Sequence, residues 1–224
     1  HVDDDLLACN PNVRIELHHR TEMVRAGHHF GSRYPVDPNA VAVYDLLPTG
    51  MLHRVVNLSH FIGMLVADKW MGNTDARQAV FFRGNIRANL SIPSVHPRRL
   101  GYIVLMIDHG LAFGGSHWML EDAPAIGLFQ EKTVYRSVRS WADFEPWFGA
   151  INSVSERVVM SLTKLVPADW DIDTRPFETL LRELLERRKR LPSLIEALRA
   201  SVFNPFEQWT TSVCTSGLSQ SNHY

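Results

Sequence analysis

Two short runs carry side chains whose types and spacing could do chemistry: Gly72-Asn73-Thr74-Asp75 and Ile107-Asp108-His109-Gly110. Each sets a carboxylate beside a glycine that allows a sharp change of direction. Asp75 follows a helical pattern and precedes a strand pattern, and Asp108 closes a second strand pattern. If the two strands pair as a long antiparallel hairpin, the start of the first lies beside the end of the second. Both carboxylates then sit at one edge of a small sheet. That arrangement suits phosphoryl transfer. One aspartate orients the attacking hydroxyl or takes its proton, and the other holds the divalent cation that bridges the nucleotide phosphates. Mg²⁺ prefers hard oxygen donors and needs few of them from protein, so one carboxylate plus phosphates suffices. Asp75 and Asp108 with His109 would also fit a metal-dependent hydrolase. Singly, each aspartate is also an ordinary turn former.

Several elements must position these corners. Ser59 is placed to cap a helix in which Phe61, Ile62, Leu65, Val66 and Trp70 recur at helical spacing, with Gly72 as its stop. Strands are expected at 79–82 and 102–107, separated by a polar excursion with Pro93, Pro97 and Arg98-Arg99. Upstream, the patterns predict a short helix at 2–8, a strand at 13–17, and a loop at 25–38 anchored by Phe30 and Tyr34. Asp37-Pro38 reads as the opening of a helix with Val41, Tyr44 and Leu47 on its face and Pro48 as its stop. Downstream, helices are expected at 141–151, 153–165 and 176–200, ended by Asn204-Pro205. The fold class is therefore α+β and mostly helical, with a small antiparallel hairpin carrying the aspartates. Residues 1–205 form the expected body and 206–224 a flexible tail.

Composition narrows the partners. A net charge of -1 and a pI near 6.9 argue against a nucleic-acid footprint, which needs surplus Lys and Arg. A local positive pocket for a nucleotide remains compatible. Cys9 and Cys214 form no paired spacing, so a reducing cytoplasm is expected. The longest apolar stretch, 61–67, is too short to span a membrane, and no signal peptide opens the chain. His18-His19 and His28-His29 lack the spacing of a zinc site. The Glu and Arg residues of 182–190 read as self-paired on an exposed helix. Trp141, Trp147, Trp170 and Trp209 read as packing anchors. Gly114-Gly115 suggests a mobile segment behind Asp108.

The run from Asp68 to Phe82 (DKWMGNTDARQAVFF) and the run Met106-Ile107-Asp108-His109-Gly110-Leu111-Ala112-Phe113 together resemble the HipA-like kinases. These are bacterial relatives of a serine/threonine toxin kinase and are distantly similar to phosphoinositide kinases. Phe30-Gly31-Ser32-Arg33-Tyr34-Pro35, Val43-Tyr44-Asp45-Leu46-Leu47-Pro48, Asp122-Ala123-Pro124, Gly127-Leu128-Phe129 and Phe144-Glu145-Pro146-Trp147 extend the resemblance over most of the chain. It implies the C-terminal, mostly helical lobe of a kinase-like fold, with ATP and Mg²⁺ as cofactors and a protein serine or threonine as acceptor. It makes Asp75, in the loop with Asn73, the catalytic aspartate, and Asp108 the Mg²⁺ ligand. Kinases of this kind usually place an asparagine for a second metal five residues after the catalytic aspartate. Val80 stands there, leaving Gln78 as the substitute oxygen donor toward metal and nucleotide. Arg77 stands where the toxin kinases tend to carry histidine. A glycine-rich phosphate loop and a strand lysine, which belong to an N-terminal lobe, are not found in this chain. Val80 and the missing lobe motivate the alternative of a catalytically inactive kinase-like binding module.

Overall fold

The computed structural model describes residues 1–17, 20–170 and 172–209. Helix α1 (Asp4–Cys9) opens the chain, and the Asp3 carboxylate accepts from the Leu6 N–H at 2.8 Å. A hairpin of β1 (Arg14–Leu17) and β2 (Arg20–Met23) follows. The second sheet collects the short β3 (Val43–Tyr44), the long β4 (Gln78–Asn85) and β5 (Leu100–Ile107), in the order β3-β4-β5 and antiparallel throughout. Helix α2 (His60–Met71) precedes β4, and α3 (Ile86–Leu90) lies between β4 and β5. Helices α4 (Glu145–Ser153), α5 (Glu156–Ser161), α6 (Thr174–Arg187) and α7 (Leu191–Arg199) complete a mixed α+β architecture. Among the described residues no helix is long and apolar enough to cross a membrane.

The hairpin expected from the sequence forms in the register that matters. Gln78 lies opposite Ile107 and Asn85 opposite Leu100, so the first residue of β4 faces the last of β5. β-Branched and aromatic side chains make this pair a wall of the core. Phe81 and Val104 turn toward α2, whose Phe61, Leu65 and Val66 are fully buried against the sheet, α4 and α7. Gly63 lets Trp147 close on α2, since a Cβ there would stand 2.4 Å from the indole. The free edge of β5 is satisfied by a side chain that imitates a strand. Asn57 donates to the Val104 carbonyl at 2.8 Å and accepts from the Val104 N–H at 3.0 Å, while the Val56 N–H donates to Tyr102 O at 2.9 Å.

Several local expectations are corrected. The segment after Asp37 makes one turn, with Ala40 N–H donating to Asp37 O at 3.0 Å, and then extends as β3 instead of continuing as a helix. Pairing with Phe81 and Phe82 of β4 outweighs the helix-opening signal. The polar excursion contains α3, capped by the Asn85 side chain on Ala88 N–H at 2.9 Å. The predicted helix over 176–200 breaks into α6 and α7, with Pro192 in the first turn of α7. Phe30 and Tyr34 are exposed, at 85% and 55%, and do not anchor their loop. Phe206 is 2% exposed and packs on Tyr135, Phe144 and Trp209, so the packed body passes the expected boundary at 205. His18, His19 and the rest of the proposed tail, 210–224, lie outside the described residues.

Asn57→Ala leaves the N–H and C=O of buried Val104 without those partners. It should lower the unfolding free energy by about 1–3 kcal/mol in urea titrations. A change below about 0.5 kcal/mol would show that Asn57 does not seal this edge.

Candidate active site

The first corner is set by the end of α2. Gly72 takes a left-handed conformation (φ 59°), and the N–H groups of Gly72 and Asn73 both reach back to the Asp68 carbonyl, the latter at 3.0 Å. One turn before this stop, the Asp68 side chain lies fully buried and meets Arg77 in a two-pronged ion pair. Arg77 Nε donates to Oδ2 at 2.8 Å and Nη2 to Oδ1 at 2.6 Å. Asn73 Nδ2 adds a bond to Oδ1 at 3.0 Å. Gly127 permits this packing, since a Cβ there would lie 2.4 Å from Asp68 Cβ and its φ is +76°. The remaining arm of Arg77, Nη1, donates to Ile107 O at 2.6 Å and Asp108 O at 3.0 Å. One guanidinium thus ties the helix that precedes Asp75 to the backbone of Asp108.

The two aspartates project from this buried knot toward a continuous band of depressions. Asp75 is half-buried, with Oδ1 accepting the Ala76 N–H at 2.7 Å, and it lines a cavity of about 460 Å³ with Thr74, Glu121, Phe129 and Lys132. Asp108 is exposed and adopts φ +58°, a left-handed conformation that aspartate and asparagine enter more readily than other side-chain-bearing residues. Its Oδ2 accepts from Gln78 Nε2 at 2.9 Å and its Oδ1 from the Gly110 N–H at 3.2 Å. It borders a cavity of about 740 Å³ with Tyr34, Leu105 and His109. A third depression of about 600 Å³, holding Asp45, Gln78 and Glu131, shares Ala76 and Phe129 with the first and Ile107 with the second.

The sequence-predicted residues take different places. Asp108 and Gln78 are joined directly, and Asp75 stands on the same sheet edge. Asn73 does not belong to the surface at all. It is fully buried, with its amide nitrogen on Asp68 and its oxygen on the Asp75 N–H at 3.4 Å, so it positions Asp75 and does not meet a ligand. His109 is exposed and makes no hydrogen bond to the Asp108 carboxylate. Val80 is buried in the sheet opposite Leu105. Phe113, Gly114 and Gly115 all take positive φ, which bends the chain behind Asp108 into a kinked turn. Among the described residues no three His, Cys, Asp or Glu side chains cluster as a metal cage. A cation at this edge would rest on Asp108 and on oxygens of its own ligand, a sparse set that fits Mg²⁺.

A second buried cluster escaped the sequence reading. Lys69 is 2% exposed, and its Nζ donates to Ala123 O at 2.9 Å and Pro124 O at 2.7 Å. Arg187, expected on a solvated face, is buried beside it. It donates to Lys69 O at 2.9 Å and Glu121 O at 2.7 Å and pairs with Asp122 at 2.7 Å, while Arg190 holds the other Asp122 oxygen. Segment 121–126 supplies a wall of the Asp75 cavity, so this cluster sets that wall. Burial, reinforced by the Arg187 charge, pushes the Lys69 ammonium down to about 8. The available signal was Asp68-Lys69 standing next to each other inside an apolar helical stripe.

Compared with protein families, curated proteins and solved structures, the chain has no match.

Two measurements check this geometry. Asp68→Asn leaves Arg77 buried without a counter-charge and should cost about 3–5 kcal/mol of unfolding free energy; a loss under about 1 kcal/mol contradicts the buried pair. For Lys69, the unfolded chain keeps its proton up to 10.5 while the folded one releases it near 8. Its burial therefore opposes folding most fully below pH 8, and the penalty shrinks as pH rises toward 10.5. The stability of the protein relative to Lys69→Met should rise across that window; a flat difference contradicts it.

Proposed function

We propose that this chain is the catalytic lobe of an ATP- and Mg²⁺-dependent phosphotransferase of the HipA-like kind, acting on a protein serine or threonine hydroxyl. The observation that carries the proposal is the shared tether of the two aspartates. The β4–β5 register and the three-way grip of Arg77 hold the Asp75 loop and the Asp108 turn at one edge, open to a common band of cavities. Asp75, oriented by Asn73 and half-shielded, is suited to align an acceptor hydroxyl and receive its proton. Asp108 presents its carboxylate from a turn fixed by Gln78 and Gly110, as a ligand for Mg²⁺. The metal, when bound, supplies neutralisation of phosphate charge. Gln78 contributes by holding Asp108 through its amide nitrogen, and its amide oxygen is the donor left for metal or nucleotide. We place the activity in the cytoplasm, in keeping with the free, exposed Cys9 thiol.

Val80 favours a second reading. Its buried aliphatic side chain stands where a second metal ligand is expected, which supports a kinase-like module that binds nucleotide without transferring phosphate. Incubation with γ-labelled ATP and Mg²⁺ separates the two. The proposal expects labelled protein product, reduced at least about 100-fold by Asp75→Asn, and Mg²⁺-dependent nucleotide binding that Asp108→Ala abolishes. Nucleotide binding with no transfer selects the module. Label incorporation that Asp75→Asn leaves intact removes the assignment of the base.

A further inference from the structure

Between Asp75 and Asp108 the chain contains five arginines and no aspartate, glutamate or lysine, in a protein whose net charge is only -1. Arg77 is consumed by Asp68. The other four, Arg83, Arg87, Arg98 and Arg99, are exposed, and among the described residues none forms an ion pair. The fold gathers them at the end of the hairpin opposite the aspartates. Ile86 N–H donates to Arg99 O at 3.0 Å, Asn85 Nδ2 donates to Pro97 O, and Arg98 N–H donates to His96 Nδ1 at 3.2 Å. The first two bonds stitch the segment carrying Arg87 to the one carrying Arg98 and Arg99, and the third is local to the latter. Arg83 lies two residues before Asn85 on β4, opposite Tyr102. Next to this cap stand two aliphatic side chains left in water, Leu100 at 54% and Val56 at 45% exposure, with Val56 packed against Gly101.

Four arginines on adjoining segments without counter-charges make a local surplus of positive charge, which an anionic partner offsets. We propose that this cap is a docking surface for an acidic protein segment that carries aliphatic side chains. Guanidiniums pair with carboxylates in bidentate fashion, and Leu100 and Val56 offer the apolar contact that a peptide, but not a phosphate backbone, would use. Residues 83–101 contain no Phe, Tyr or Trp on which unpaired bases could stack. Four arginines are also few beside the number of phosphate contacts that a duplex binder makes. The surface lies at the opposite end of the hairpin from the aspartates and does not depend on the phosphotransfer proposal.

The test is a fluorescence-anisotropy titration of the protein with a labelled peptide of four Glu-Glu-Leu repeats. Single-stranded oligonucleotide and phosphatidylserine vesicles are measured in parallel. Saturable peptide binding is expected. It should weaken at least about tenfold in R83E/R87E/R98E/R99E and on raising NaCl to about 0.5 M, with the circular dichroism spectrum unchanged. R83Q/R87Q/R98Q/R99Q, which removes charge without adding repulsion, should weaken it in the same direction if the reversed variant fails to fold. Absence of peptide binding, equal binding by the glutamine variant, or tighter binding of the oligonucleotide or the vesicles would overturn the proposal.

Discussion

The buried pair of Asp68 and Arg77 is the interaction on which the rest of the site depends. Two charges removed from water are costly unless their hydrogen-bonding groups are satisfied, and here they are. Asp68 accepts three side-chain bonds, and Arg77 spends its remaining arm on the carbonyls of Ile107 and Asp108. The pair does more than bridge two elements. It fixes the exit of α2, the loop to β4 and the turn after β5 as one unit. A hydrophobic pair of similar volume could fill the space, but it could not hold two backbone carbonyls at the sheet edge. Gly127, forced by the closeness of Asp68, shows the same constraint from the other side.

This arrangement explains a division of labour in the site. Of the polar groups that lost contact with water, Asn73, Arg77 and Lys69 hold backbone and Asp68 holds Asn73 and Arg77, while those that kept it (Asp75, Gln78 and Asp108) remain available to a ligand. The Lys69 cluster does for the far wall of the Asp75 cavity what Arg77 does for the sheet edge, by gripping carbonyls of segment 121–124. The surface aspartates add only local bonds of their own, to Ala76, Gln78 and Gly110. Their placement comes from a layer of charge beneath, roofed by the α2 core.

The sequence made the sheet edge that carries Asp75 and Asp108 legible because its signals are local. The apolar stripe of α2 and the stop at Gly72 define one element, although Ser59 at its start takes helical backbone and caps nothing with its side chain, and the β-branched runs define the two strands whose pairing brings Asp75 and Asp108 together. What it could not show were the long-range uses of charged side chains. Arg77 looked like a departure from a motif, Asn73 like a member of the catalytic loop, and Arg187 like one more charge on a solvated helix. All three are buried: Arg77 and Arg187 grip carbonyls far along the chain, while Asn73 is held by nearby Asp68 and Asp75. The segment after Asp37 failed for a related reason. A helix-opening signal is worth about 1 kcal/mol, less than the gain from adding a strand to β4. Asn57 standing in for a strand at Val104 has no sequence signature, since an asparagine before a helix reads as a turn.

The claim that Asp75 and Asp108 form one metal–nucleotide edge is tested most directly by paramagnetic line broadening. Mn²⁺ replaces Mg²⁺ in the presence of ATP, and the amide resonances of the protein are followed by NMR. The account predicts that the amides of Thr74, Asp75, Ala76, Asp108, His109 and Gly110 broaden together, and that this requires nucleotide. Broadening centred instead on the acidic first turn of α1, or the same broadening without nucleotide, would contradict it.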